Sequence, residues 1–120
     1  MAIIEYQDGR PIYEQIVDYY KHLILIGALE EDTQMPSVRN LAMELSTNPN
    51  TVQKAFMELE RQGFIYTVKG RGNFVKNNQS LKQGRQDEIE DQIVDLLQEA
   101  KRLDMNLDAL VQRALERTGK

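Results

Sequence analysis

Cysteine is absent from these 120 residues, which excludes disulfides, thiolate metal sites, iron–sulfur clusters and cysteine nucleophiles. Histidine occurs once, as His22, so one chain cannot assemble a multi-histidine metal or catalytic cluster. Long apolar runs are also missing. The longest, Leu23 to Ile26, is far too short for a membrane span or a secretory signal. The expectation is a soluble, cytoplasmic protein with no membrane partner. Hydrophobic residues make up 41% and charged residues 28%, an ordinary globular balance that argues against wholesale disorder. The length suits one domain, or a small domain with an appendage. A formal net charge of −4 speaks against a nonspecific nucleic-acid binder.

The sign of that charge is uneven. From Asn48 to Lys76 the cations Lys54, Arg61, Lys69, Arg71 and Lys76 face only Glu58 and Glu60, a local excess of three positive charges. An acidic protein with a basic stretch has a local reason for it.

Apolar spacing and turn signals divide the chain. Pro11 to Ile26 reads as a helix with Ile12, Ile16, Val17, Tyr20, Leu23 and Ile24 on one face, closed by Gly27. Residues 28–36 read as a connector. Ser37 is a natural N-cap for a short helix reaching about Leu45, with Val38, Leu41, Ala42 and Leu45 on its buried side. After a tight break at Ser46-Thr47, Asn48 caps a third helix and Pro49 starts it. Its stripe is Val52, Ala55, Phe56 and Leu59, and it stops at Gln62-Gly63. The period then changes to two. Phe64 to Val68 and Asn73 to Val75 read as strands around the turn Lys69-Gly70-Arg71-Gly72. A polar linker is expected at 77–85, and two amphipathic helices at 86–120.

This order gives a fold class: mostly α with a small β-hairpin, a winged helix-turn-helix over 1–76 followed by a short helical dimerisation hairpin. The two- or three-residue break between the second and third helices matches the DNA-binding turn. Residues at the start of the second such helix reach base edges in the major groove. Asn50 and Gln53 can bond bidentately to adenine, and Thr51 can offer its methyl to thymine. The helix N-terminus also favours phosphate. The plainer alternative is that Asn48 and Pro49 only cap and start the helix. Ser37 and Arg39 stand at the start of the preceding helix, where Arg39 serves either as a phosphate or guanine contact or as a solvated surface residue. Lys54 is a phosphate contact. Lys69, Gly70 and Arg71 form a wing tip that suits phosphates near the minor groove, or an ordinary solubilising turn.

The tail carries an apolar stripe of Ile89, Ile93, Leu96, Leu97, Ala100 and Leu103, continued by Leu107, Leu110, Val111 and Leu115. About 35 residues of helical hairpin hold too little core to stand alone. Self-association would complete that core and bring two reading heads to a two-fold operator. Packing onto the first domain is the alternative.

Enzymatic chemistry finds no support. The tail carboxylates sit on polar helix faces, no P-loop is present, and no cofactor is implied. A competing reading is a winged-helix adaptor that binds proteins instead of DNA. Its mark would be an apolar or acidic third-helix face, and this one is polar and locally basic.

Taken together, Met35-Pro36-Ser37-Val38-Arg39-Asn40-Leu41-Ala42, Asn48-Pro49-Asn50-Thr51-Val52, Leu59-Glu60-Arg61-Gln62-Gly63-Phe64-Ile65 and Gly70-Arg71-Gly72-Asn73-Phe74-Val75 resemble the GntR family of bacterial transcription regulators. The resemblance covers roughly residues 10–76, and the short tail is similar to that of the YtrA-like subfamily. It implies a homodimeric repressor on double-stranded operator DNA. Arg39, Asn50, Thr51 and Gln53 fall on the family's operator contacts, Asn48 and Pro49 at the head of its recognition helix, and Gly70 and Arg71 at its wing tip. Asp32 stands where many members carry glycine, and Ser46-Thr47 replaces a frequent Gly-Val. Larger members bind small acids in a C-terminal domain, sometimes through a histidine-held metal. The tail here has no histidine, so that metal site is not expected. A small-molecule effector of unidentified chemistry remains a candidate partner at a dimer cleft.

Overall fold

The computed structural model describes residues 3–5 and 8–119. Helix α1 (Ile12–Leu25) buries Ile16, Val17, Tyr20 and Ile24, four of the six positions its sequence period predicts, with Ile12 and Leu23 half-buried. Pro11 precedes it as the capping residue. Helix α2 (Val38–Glu44) begins where the Ser37 hydroxyl accepts the Asn40 amide at 3.0 Å. Helix α3 (Pro49–Arg61) buries Val52, Ala55, Phe56 and Leu59, all four expected positions. Strands β1 (Ile65–Val68) and β2 (Gly72–Val75) pair antiparallel, with Ile65 opposite Val75 and Tyr66 opposite Phe74. Phe56, Ile16, Leu41, Leu59, Ile65 and Val75 are fully buried and join α1, α2, α3 and the hairpin in one core.

One buried polar side chain lies at the edge of this core. The Gln15 amide accepts the Glu5 amide at 2.7 Å and donates to the carbonyls of Glu5 and Arg10, both at 3.1 Å. Each polar end is satisfied, so its burial carries no desolvation penalty.

The break between α2 and α3 is a tight helix-ending turn. Thr47 donates to the Ala42 carbonyl at 2.9 Å and Ser46 to that of Met43 at 3.2 Å. Ser46 takes a φ of 51°, the left-handed conformation such turns require. Asp32, in the connector, has a φ of 66°. Both residues that depart from the family pattern thus stand where glycine would be unstrained.

Two expectations change. Residues 28–36 are more than a connector, because their second half edges the hairpin. Asp32 donates to the Val75 carbonyl at 2.7 Å, Val75 to that of Thr33 at 2.8 Å, and Met35 to that of Asn73 at 2.8 Å. Gln34 bridges Phe74 antiparallel. These bonds join segments some 40 residues apart, and no local pattern signals them.

The second change concerns 77–85, read as a linker. Helix α4 (Gln79–Arg102) starts at Gln79, after the Asn77 side chain accepts the Gln79 amide at 3.1 Å. Of the residues that follow, only Gly84 disfavours a helix strongly, and one glycine costs about 1 kcal/mol. Leu81 packs on the core of the first unit. The chain divides into two compact units, Met1–Lys82 and Gln83–Lys120, so the division falls inside α4.

The second unit holds the rest of α4 and α5 (Leu107–Thr118), which the Asn106 side chain caps by accepting the Ala109 amide at 3.0 Å. Within α4 only Ala100 is buried, and α5 buries nothing. Ile93, Leu96, Leu103 and Leu115 are between 51% and 67% exposed. Among the described residues no helix is long and apolar enough to cross a membrane.

Candidate nucleic-acid interface

The start of α3 is shaped by its cap. Asn48 Oδ1 accepts the Asn50 amide at 2.7 Å, and the Asn48 carbonyl accepts the amides of Thr51 at 2.9 Å and Val52 at 3.3 Å. Pro49 has no N–H. The helix therefore offers no free backbone amide in its first turn, and the expectation of a phosphate held there by such groups does not stand. Asn48 and Ser37 both spend their side chains on capping. Asn50 and Gln53 project from the exposed side of α3, with Pro49 exposed and Thr51 half-buried between them. Met57, 60% exposed, continues the Asn50 and Gln53 face by helical spacing. An exposed methionine carries no polarity signal, so the sequence did not single it out.

Arg39 is exposed on the first turn of α2. Among the described residues it makes no ion pair.

The basic stretch resolves into engaged and unengaged cations. The Lys54 ammonium lies 4.0 Å from the Tyr13 ring centroid, directed at α1. Arg61 forks onto the Glu58 carboxylate. Bonds from Arg61, and then from Gln62, pull the Glu58 carboxyl down to about 2. Lys69 and Arg71, exposed at the hairpin tip, make no ion pair among the described residues. Lys76, past β2, is likewise exposed and without an ion pair among the described residues, so the stretch leaves three cations open to a ligand, two of them at the tip.

That tip is braced from three directions. The Arg71 amide donates to the Val68 carbonyl at 2.9 Å, closing the turn. Gln34 Nε2 donates to the Arg71 carbonyl at 2.8 Å. The Thr67 hydroxyl lies 2.8 Å from Asn73 Oδ1 and 3.2 Å from Glu60 Oε1, tying both strands to α3. Lower on the hairpin, Tyr66 stacks on Phe74 with centroids 5.7 Å apart and donates its hydroxyl to Asp32 at 2.8 Å. That bond holds the Tyr66 hydroxyl pKa above its ordinary value. The tyrosine thus packs at the rim.

Connectivity sets the layout. Met35 is bonded to β2, Gln34 to the tip, and Ser37 opens α2 two residues after Met35. The segment bonded to β2 and to the tip thus leads directly into the first turn of α2, which carries Arg39. Helix α3 follows α2 across the two-residue turn, so Asn50 and Gln53 belong to the same unit.

In the second unit, α4 and α5 enclose an apolar groove of about 580 Å3. Ile93, Leu96, Ala100, Leu103, Val111 and Leu115 are among its walls. Ile89 is exposed at 43% and Leu107 half-buried. Among the described residues no group of three or more His, Cys, Asp or Glu could hold a metal ion.

Residues 12–75 match the family described as bacterial regulatory proteins, gntR family. The chain is 39% identical over 112 residues to the HTH-type transcriptional repressor YtrA of Bacillus subtilis, covering 92% of this chain and 86% of that one. Its structure is similar to the crystal structure of a transcriptional regulator from Oenococcus oeni, with a TM-score of 0.75, 30% identity and coverage of 99% and 100%. The first unit is also similar to AraR(DBD) crystallised in complex with operator ORR3, at TM-score 0.54 and 27% identity over 62% of this chain and 90% of that one.

Proposed function

The chain belongs to the gntR family of bacterial regulatory proteins, and on that premise we propose that it is a sequence-specific DNA-binding transcriptional repressor acting as a homodimer on a two-fold operator. The observation that supports this reading is a set of exposed groups within the first unit. It combines Arg39, the polar start of α3 and a braced hairpin tip carrying Lys69 and Arg71, three cations without an ion pair among the described residues. Such a set has both elements of DNA recognition, groups for base edges and charge for phosphates. Arg39, Asn50, Thr51 and Gln53 read bases, while Lys69 and Arg71 hold register on the backbone. An adaptor would need an apolar or acidic α3 face, and Asn50, Gln53 and Lys54 make this one polar.

Dimerisation is carried by the second unit. Its two helices bury only Ala100, and the unit leaves four large aliphatic side chains, three on the helices and Leu103 between them, more than half exposed. Covering a leucine or isoleucine fully is worth about 1.5–3 kcal/mol, so a second copy of the same surface stabilises both. The repressor acts in the cytoplasm, and an effector would enter at the groove between α4 and α5.

Selection of bound duplexes from a random-sequence pool tests this reading. A selected site with two-fold symmetry and half-sites spaced by about one helical turn, or a multiple, is the expected result. Absence of any enriched sequence would contradict it.

A further inference from the structure

Gln34 holds the hairpin tip without belonging to it. Its backbone bridges Phe74 of β2, and its side chain reaches back along the strand to the Arg71 carbonyl at 2.8 Å. The Arg71 amide is meanwhile bonded to Val68 at 2.9 Å. The peptide groups on both sides of the Arg71 Cα are thereby fixed.

Gly72 makes the contact feasible. A Cβ built there would sit 3.1 Å from Gln34 Nε2, and its φ of +119° is one that L side chains rarely adopt. The tip also contains Gly70, at a φ of +80°. A tip with two glycines pays heavily in conformational entropy when a ligand orders it. A bond that orders it beforehand lowers that cost.

The same segment leads into α2. Met35 is bonded to the Asn73 carbonyl, and Arg39 follows four residues later. Gln34 therefore ties the tip to the strand that carries the first turn of α2. Its bond is exposed, and an exposed neutral hydrogen bond adds little to global stability.

We propose that Gln34 is a positioning residue for operator binding: its side-chain amide locks the Arg71 peptide and sets the placement of the hairpin tip relative to Arg39. It touches no DNA itself. The proposal rests on the reading that Arg71 meets DNA.

The test uses the full chain and a duplex bearing the selected site. Four proteins are compared: the original, Gln34→Met, Arg71→Ala and the double variant. Methionine keeps the length of the side chain and removes the donor. Gln34→Met is expected to weaken binding about 3–10-fold, the range for one lost hydrogen bond. That loss should shrink in the Arg71→Ala background, where Lys69 alone still depends on the placement of the tip. In the free protein, hydrogen exchange at the Gly72 amide, which shares a peptide group with the Arg71 carbonyl, should speed up.

An equal loss in both backgrounds overturns the proposal, as does no loss, while the Arg71→Ala effect leaves the DNA reading intact. Unchanged exchange at Gly72 overturns it whatever the affinity. Arg71→Ala binding like the original protein would instead remove the premise, and the proposal with it.

Discussion

The Lys54 ammonium lies 4.0 Å from the centroid of the Tyr13 ring, so a cation in the recognition helix pins α3 to α1. A cation–π contact at an exposed site is worth about 0.5–1 kcal/mol. Leaving Tyr13 for a phosphate forfeits that, whereas Lys69 makes no ion pair or ring contact among the described residues. Measured against DNA at several salt concentrations, Lys69→Met is expected to flatten the log–log slope by about one unit and to weaken all duplexes alike. Lys54→Met should flatten it less and should lower the unfolding midpoint. Equal slopes for the two variants would place Lys54 on DNA as firmly as Lys69.

Arg39 bears on sequence choice. Arg39→Ala is expected to cost about 1–3 kcal/mol of binding to the selected site, the range for one good base contact. Because Arg39 makes no ion pair among the described residues, its thermal midpoint should stay put. Anisotropy titration beside a melting curve checks both halves. Unchanged affinity would remove Arg39 from the interface.

Leu96 tests the dimer. It is 65% exposed and lines the groove of the second unit. Leu96→Glu places a charge at a symmetric contact twice over, and the dimer dissociation constant should rise about 100-fold or more. Sedimentation equilibrium should show a folded monomer, with operator affinity falling in step. A dimer that survives the substitution would move the interface elsewhere.

Alkaline pH tests the core. Burial pushes the Tyr20 hydroxyl up to about 12. An unfolded chain ionises tyrosine near about 10. Between these values the unfolded state releases a proton that the folded state keeps, so stability falls as pH rises. Below the lower value the contribution is fully present. Tyr66, raised by its bond to Asp32, acts in the same direction. Urea midpoints at about pH 9 and pH 11 should therefore differ, with Tyr20→Phe narrowing the gap.

Much of this was legible in the sequence where the signal is local. Ser37 and Asn48 each cap the helix that their position announces, and Val52, Ala55, Phe56 and Leu59 are buried as their spacing predicts. The hairpin followed from the change of period after Gly63. Long-range pairing was not legible. Asp32 to Met35 lack strand alternation and run into Pro36, yet they edge β2 because their partners lie at Asn73 and Val75. The helical start at Gln79 was hidden by polar residues whose propensities are neutral. At the interface, residue type and position pointed to Arg39, Asn50 and the tip. Pattern alone could not show that Asn48 would consume the first-turn amide, or that Lys54 would turn to Tyr13. Gln34 carries no motif, and its role depends on a carbonyl 37 positions away.

The most direct measurement is an anisotropy titration of the purified full chain at about 150 mM salt, a concentration that suppresses purely electrostatic binding. One duplex comes from upstream of its own gene, and the other is the same bases scrambled. Preferential binding to the first, saturating at two chains per site, is the expected result. Equal, weak binding to both duplexes would contradict it.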